Sequence, residues 1–136
     1  SRRIIITLVS LFAVVALLAI GVVASGARFF TVMTPSMGQT APVGTLVVTL
    51  PQNGYQVGEI VTYERNGRSY THRIISAIAD GSFVTKGDLN AAADPLPVAQ
   101  DQIVGRAVWL APGLGWLWQG LPWLVLGGLQ AGAAQE

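Results

Sequence analysis

The chain has no cysteine, one histidine (His72) and one lysine (Lys86). Without cysteine there is no disulfide framework, thiolate zinc site, iron–sulfur cluster or cysteine nucleophile. A lone histidine excludes a metal site built from several imidazoles. Charge is also scarce, with charged residues at 11% and hydrophobic ones at 51%. That composition is far from disorder and leans towards membranes. The 8 basic and 7 acidic residues nearly cancel, for a formal charge of +1. Nucleic-acid binding is therefore not expected, because neutralising phosphates needs clustered Lys and Arg. At 136 residues the chain suits a single domain.

The apolar residues are concentrated at the two ends. No charge interrupts Ile4 to Ala24, and Thr7 and Ser10 are the polar exceptions. As a helix this stretch would be roughly 31 Å long, which matches a hydrocarbon core. Arg2 and Arg3 precede it and favour a cytoplasmic N-terminus, with the remainder on the far side. The small residues Ala24-Ser25-Gly26-Ala27 would also suit removal as a signal peptide. The apolar stretch exceeds the ~7–15 residues usual there, so a retained anchor is the preferred reading. The tail from Ala107 to Gln135 carries no charge, and all four tryptophans (Trp109, Trp116, Trp118, Trp123) lie in it. Trp favours the membrane boundary, while the tail's many Gly and Pro interrupt any long span. An interfacial or partly inserted segment is expected, with a second crossing as the alternative. The expected division is an anchor over 1–27, a β domain over 28–108 and an apolar tail over 109–136.

Between the two ends the pattern is that of short strands. Thr45 to Leu50 is a β-branched run closed by Pro51. Glu59 to Glu64 alternates and breaks at Asn66-Gly67, a hairpin signal. Arg68 to Ile78 resumes, Asp80-Gly81 turns, and Ser82 to Lys86 follows. Ile103 to Leu110 reads as the last strand. Short strands with Gly-rich turns predict a mainly β barrel or sandwich.

Three places carry groups suited to chemistry. His72 shares a strand face with Tyr70, Ile74 and Ile78 by the period of two, so it points towards a core or a cleft wall. A hydrogen-bonded core histidine and a general base both fit that position. Ser36, in Thr34-Pro35-Ser36-Met37-Gly38, lies close behind the anchor; alone it is an ordinary loop serine. Thr85-Lys86-Gly87-Asp88-Leu89-Asn90, followed by Asp94-Pro95, is equally compatible with plain turn chemistry.

Taken in order, these pieces resemble type I signal peptidase. The series is an anchor, Ser36-Met37, Pro42-Val43-Gly44 with Leu46-Val47-Val48, Val57-Gly58-Glu59-Ile60-Val61 with Tyr63, His72-Arg73-Ile74-Ile75, Lys86-Gly87-Asp88 with Asn90, and Ile103-Val104-Gly105-Arg106-Ala107. The resemblance covers about Val32 to Val108. His72 stands where common bacterial members have lysine, which points to the Ser–His branch found in archaea, the endoplasmic reticulum and some Gram-positive bacteria. It implies a two-sheet, all-β catalytic domain outside the cytoplasm, a cell-membrane location and removal of signal peptides after small residues. By motif position Ser36 looks like the nucleophile and His72 the general base. Asp94 looks like the acidic partner, with Asp88 second to it, and Lys86 resembles a structural turn residue. The Thr34 hydroxyl and the Ser36 backbone N–H would meet the oxyanion. Shallow pockets near Met37, Val43 and Ile74 would select small side chains. The implied partners are preproteins bearing signal peptides and the lipid bilayer, with no metal or organic cofactor. The sequence departs from the family at Pro35, where a Gly usually precedes the serine, and at Gln39, where a Pro usually follows. A non-catalytic membrane-tethered β module, or an inactive homologue, is the alternative.

Overall fold

A computed structural model describes residues 1–125 and 132–134. Helix α1 spans Arg2–Ala24, as the apolar run predicts, and no residue of it is buried. Among the described residues it is the one helix long and apolar enough to cross a membrane. Its polar Thr7 donates its hydroxyl to the Arg3 carbonyl at 3.0 Å. A helix that satisfies its backbone and side-chain donors internally leaves little polar surface for lipid to meet.

The rest is mainly β: β1 (Arg28–Val32), β2 (Leu46–Leu50), β3 (Ile60–Arg65), β4 (Arg68–Ala77), β5 (Phe83–Lys86), β6 (Ile103–Ala111) and β7 (Gly132–Ala134). Helix α2 (Leu114–Val125) separates the last two strands. Asn66 and Gly67 turn β3 into β4 with φ of 52° and 74°. Two successive positive φ values define the tight hairpin whose twist matches its strands. The β3–β4 register follows, pairing Val61 with His72 and Tyr63 with Tyr70.

The strands form one sheet of order β3-β6-β2-β1-β7-β4-β5, and β3 also pairs with β4. The sheet thus closes on itself, correcting the expected two-sheet arrangement. Closure removes edges that two separate sheets would leave unpaired. Most pairings are antiparallel; β7 is parallel to both β1 and β4 and lies between them. Two apolar clusters fill the interior. One holds Phe30, Val32, Met37, Ala41 and Val47. The other holds Val61, Tyr63, Ile74, Phe83, Val98 and Ile103. Buried threonines occupy other inward positions, and their hydroxyls are paired: Thr62 with Thr71 at 2.7 Å, Thr45 with the Pro42 carbonyl at 2.6 Å. Paired in this way, they avoid the cost of an unsatisfied buried hydroxyl.

Two elements differ from the sequence reading. β1 was not expected, because Arg28-Phe29-Phe30-Thr31-Val32 merges with the anchor's apolar run. β6 continues to Ala111, past the boundary expected at 108, and α2 docks on β1 and β2. Thr31 donates its hydroxyl to the Gly115 carbonyl at 2.9 Å, and the Gly115 N–H donates to the Gly44 carbonyl at 2.9 Å. Trp118 stacks on Phe29 with ring centroids 4.7 Å apart. The start of the tail is therefore tied to the β domain. Residues 126–131, on which the alternative of a second crossing also falls, lie outside the described residues. Trp116 and Leu117 remain largely exposed on α2.

This docking requires glycine at 115. A Cβ there would lie 2.6 Å from Thr31 Cγ2 and 2.7 Å from the Gly44 carbonyl oxygen. Gly115→Ala should lower stability by about 1–3 kcal/mol through overpacking, outweighing the ~1 kcal/mol helix-propensity gain of Ala over Gly. Urea unfolding of the detergent-solubilised chain, followed by tryptophan fluorescence, checks the sign.

Candidate active site

Ser36 sits in a single 3-10 turn, Pro35–Met37, immediately after β1. Thr34 precedes the proline with extended backbone (φ −128°, ψ 157°), the geometry that X-Pro favours. The Gly38 N–H donates to the Pro35 carbonyl at 2.8 Å and closes the turn. From the other side the Leu89 N–H donates to the Ser36 carbonyl at 2.8 Å. Gly87 lies so close that a Cβ would be 2.6 Å from the Ser36 carbonyl oxygen and 3.0 Å from Ser36 Cβ. The 87–90 turn thus clamps the serine's backbone. Ser36 itself is 8% exposed, near the surface of a closed domain.

His72 is on β4 between Thr71 and Arg73, with its ring inside the domain at 2% exposure. Its Nε2 lies 3.1 Å from Ser36 Oγ. Its Nδ1 lies 2.6 Å from Asp94 Oδ2. An ionised carboxylate only accepts hydrogen bonds, so Nδ1 carries the proton and donates, leaving Nε2 to accept from the Ser36 hydroxyl. Thr34 Oγ1 donates to Ser36 Oγ at 3.3 Å, which leaves the serine's own proton directed at His72. The Tyr63 ring meets the imidazole edge to face, 6.4 Å between centroids. As predicted, Tyr70 and Ile74 share the strand side of His72, whereas Ile78 lies beyond the strand end.

Asp94 follows β5 and is held by its backbone, its N–H donating to the Thr85 carbonyl at 2.8 Å. Three donors meet its Oδ2: His72 Nδ1, the Thr85 hydroxyl at 2.6 Å and the Tyr63 hydroxyl at 3.0 Å. Burial pushes the Asp94 carboxyl up, but hydrogen bonds from His72, Thr85 and Tyr63 more than offset it and hold it below the usual range. Burial and the neighbouring Asp94 charge push the Tyr63 hydroxyl well above the usual tyrosine range, so it stays a donor.

Asp88, the second acidic candidate, does not reach His72. Its carboxylate accepts two hydrogen bonds from Arg73, at 2.9 and 2.8 Å, and one from Thr40 at 2.8 Å. It bridges β4 and the segment after the Pro35–Met37 turn, and the structure gives the position behind the imidazole to Asp94. Lys86 Nζ donates to the neighbouring Gly87 carbonyl at 3.2 Å. Met37 and Ile74 are buried in separate clusters and Val43 is exposed, so these three do not line a common pocket.

Tyr63, Thr85 and Gly87 stand in segments the sequence reading singled out, but it gave none of them a role at the site. Tyr63 reaches Asp94 across 31 positions. Only the β3–β4 register and the fold of the loop after β5 bring them together. No family model matches the chain, and no curated protein matches it significantly.

Two carboxylates in this region carry a pH-dependent share of stability. Asp88 lies below the usual range chiefly through the hydrogen bond from Arg73, with Thr40 adding to it. Asp94 also lies below it. A carboxylate depressed in the folded state stabilises fully above its unfolded value of about 4, and that contribution is lost as pH falls through the folded value. The melting temperature should therefore drop between about pH 5 and pH 3. Asp88→Asn should melt lower at neutral pH and show a shallower acid decline, read by circular dichroism at a series of pH values.

Proposed function

We propose that this chain is a membrane-anchored serine endopeptidase. More particularly, we read it as a signal peptidase of the Ser–His type, cleaving exported preproteins after small residues at the outer face of the cell membrane. The observation that carries the reading is the continuous hydrogen-bonded series Ser36–His72–Asp94, with distances of 3.1 and 2.6 Å. A core histidine needs a partner, but it does not need a serine on one nitrogen and a half-buried carboxylate on the other.

In this mechanism His72 Nε2 takes the Ser36 proton as Oγ attacks the scissile carbonyl carbon. Asp94 holds the Nδ1–H tautomer and stabilises the imidazolium that forms. The Ser36 N–H and the Thr34 hydroxyl serve the developing oxyanion, each such donor typically contributing about 3 kcal/mol. His72 then protonates the leaving amine as the C–N bond breaks, leaving an acyl-enzyme ester on Ser36. Water, deprotonated by His72, hydrolyses that ester and returns the proton to Ser36.

Two further features support a peptide substrate delivered at a membrane. β7, a Gly-Ala-Ala segment, pairs in parallel with β1 (Phe30 to Gly132 through Val32 to Ala134) and with β4 at Ser69. A substrate strand of small residues would have to take β7's place in the slot between the strands leading to Ser36 and carrying His72. Ser36 also follows the end of α1 by 12 residues, which limits its distance from the helix end to about 40 Å or less. A signal peptide is itself an apolar membrane helix, so anchoring places nucleophile and cleavage site at similar height and raises their effective concentration.

Reconstituted in vesicles with a model preprotein, the wild-type chain should cleave after a small residue. Ser36→Ala and His72→Ala should each lower kcat by about a thousandfold or more while leaving the circular dichroism spectrum unchanged. Cleavage by Ser36→Ala at the wild-type rate would overturn the mechanism, and no cleavage by wild type would favour the inactive-homologue alternative. Gly87→Ala, which displaces the Ser36 backbone, should lower kcat about tenfold or more with a smaller effect on KM.

A further inference from the structure

Three hydroxyl or ring donors converge on a single oxygen of Asp94. The imidazole comes from β4, Tyr63 from β3 and Thr85 from β5, at 2.6, 3.0 and 2.6 Å respectively. A carboxylate oxygen presents two in-plane lone pairs, so three donors must share its charge. Whatever Tyr63 and Thr85 draw from Oδ2 is not available to His72 Nδ1–H.

Taking the peptidase reading as given, we infer that Tyr63 and Thr85 are positioning residues for catalysis: they fix the rotation of the Asp94 carboxylate and set how strongly it pulls on the His72 imidazole. A base must be strong enough to take the Ser36 proton and weak enough to release it to the leaving amine. An unshared Asp94 oxygen would hold the imidazolium too tightly and extend its protonated form to higher pH. It would also be the better acceptor of the Nδ1 proton itself, an outcome that triad chemistry avoids. Two hydroxyl donors on the same atom moderate both effects.

The surroundings leave these residues as the principal control. His72 faces Asp94, the Tyr63 ring and Ser36. Behind Tyr63, Tyr70 stacks at 5.3 Å and the Arg65 guanidinium lies 5.6 Å from the ring centroid. Arg73, next to His72 in the chain, is paired with Asp88. Tyr63 is 3% exposed and Thr85 fully buried, so neither hydroxyl is exchanged freely with solvent.

Tyr63→Phe removes the donor and keeps the ring and its stack. The acid limb of kcat/KM should move to higher pH by about half a unit, with kcat lowered several-fold and KM nearly unchanged. Thr85→Val should act in the same direction, and in an Asp94→Asn background Tyr63→Phe should leave the limb where it is. A purely structural Tyr63 would lower the melting temperature without moving the limb. Because His72 is the sole histidine, its ring-proton titration by NMR reports the same effect without turnover. The midpoint should be higher in Ser36→Ala/Tyr63→Phe than in Ser36→Ala. Equal midpoints in two folded proteins would overturn the inference, and Thr85→Val supplies the comparison if Tyr63→Phe does not fold. Should Ser36→Ala retain cleavage, the peptidase reading fails, while the titration still decides whether Tyr63 tunes the imidazole.

Discussion

A buried imidazole beside a carboxylate mostly withdrawn from water is costly unless each satisfies the other. Here the side chain of His72 is 2% exposed and that of Asp94 12%, and they meet at 2.6 Å. This contact constrains much of the domain. It requires β4 to turn His72 inward, which the Asn66-Gly67 hairpin arranges by setting the β3–β4 register. It requires the loop after β5 to return Asp94 to the sheet, which the backbone bond to Thr85 secures. With Nδ1 committed to Asp94, only Nε2 remains, and the proline-started turn after β1 presents Ser36 to it.

Ser36 is held from two directions that are independent in sequence. β1 carries the chain from α1 to Thr34, and the 87–90 turn braces the serine from the opposite side. The Arg73–Asp88–Thr40 cluster links the strand bearing His72 to the segment just after Ser36. Asp88 thus has its structural task at the edge of the site, and it is occupied by a guanidinium. Had it faced His72, Arg73 would have been left without its carboxylate partner, and the turn would have lost its tie to β4.

Closure of the sheet gives this cluster its rigidity. Each functional strand is hydrogen-bonded on both sides along part of its length, so small displacements of His72 or Thr85 must be shared across several strands. α2 adds a cap over β1 and β2, and its exposed Trp116 and Leu117 lie on the same chain as the fully apolar α1.

Much of this organisation could be read from the residues alone. The uncharged run to Ala24 dictates the helix, the positive-φ pair at Asn66-Gly67 dictates a hairpin, and period-two alternation turns His72 inward. Each is a local matter in which composition and side-chain geometry decide conformation directly. Ser36, His72 and Asp94 could be named as candidates, but neither their meeting nor the choice of Asp94 over Asp88 has a local cause. Those contacts span 36 and 22 positions. They depend on strand register, on the single closed sheet and on where the loop after β5 returns. Tyr63 and Thr85 were invisible for the same reason: as β-branched or aromatic strand residues they look like core, and only the tertiary structure aims their hydroxyls at one carboxylate oxygen.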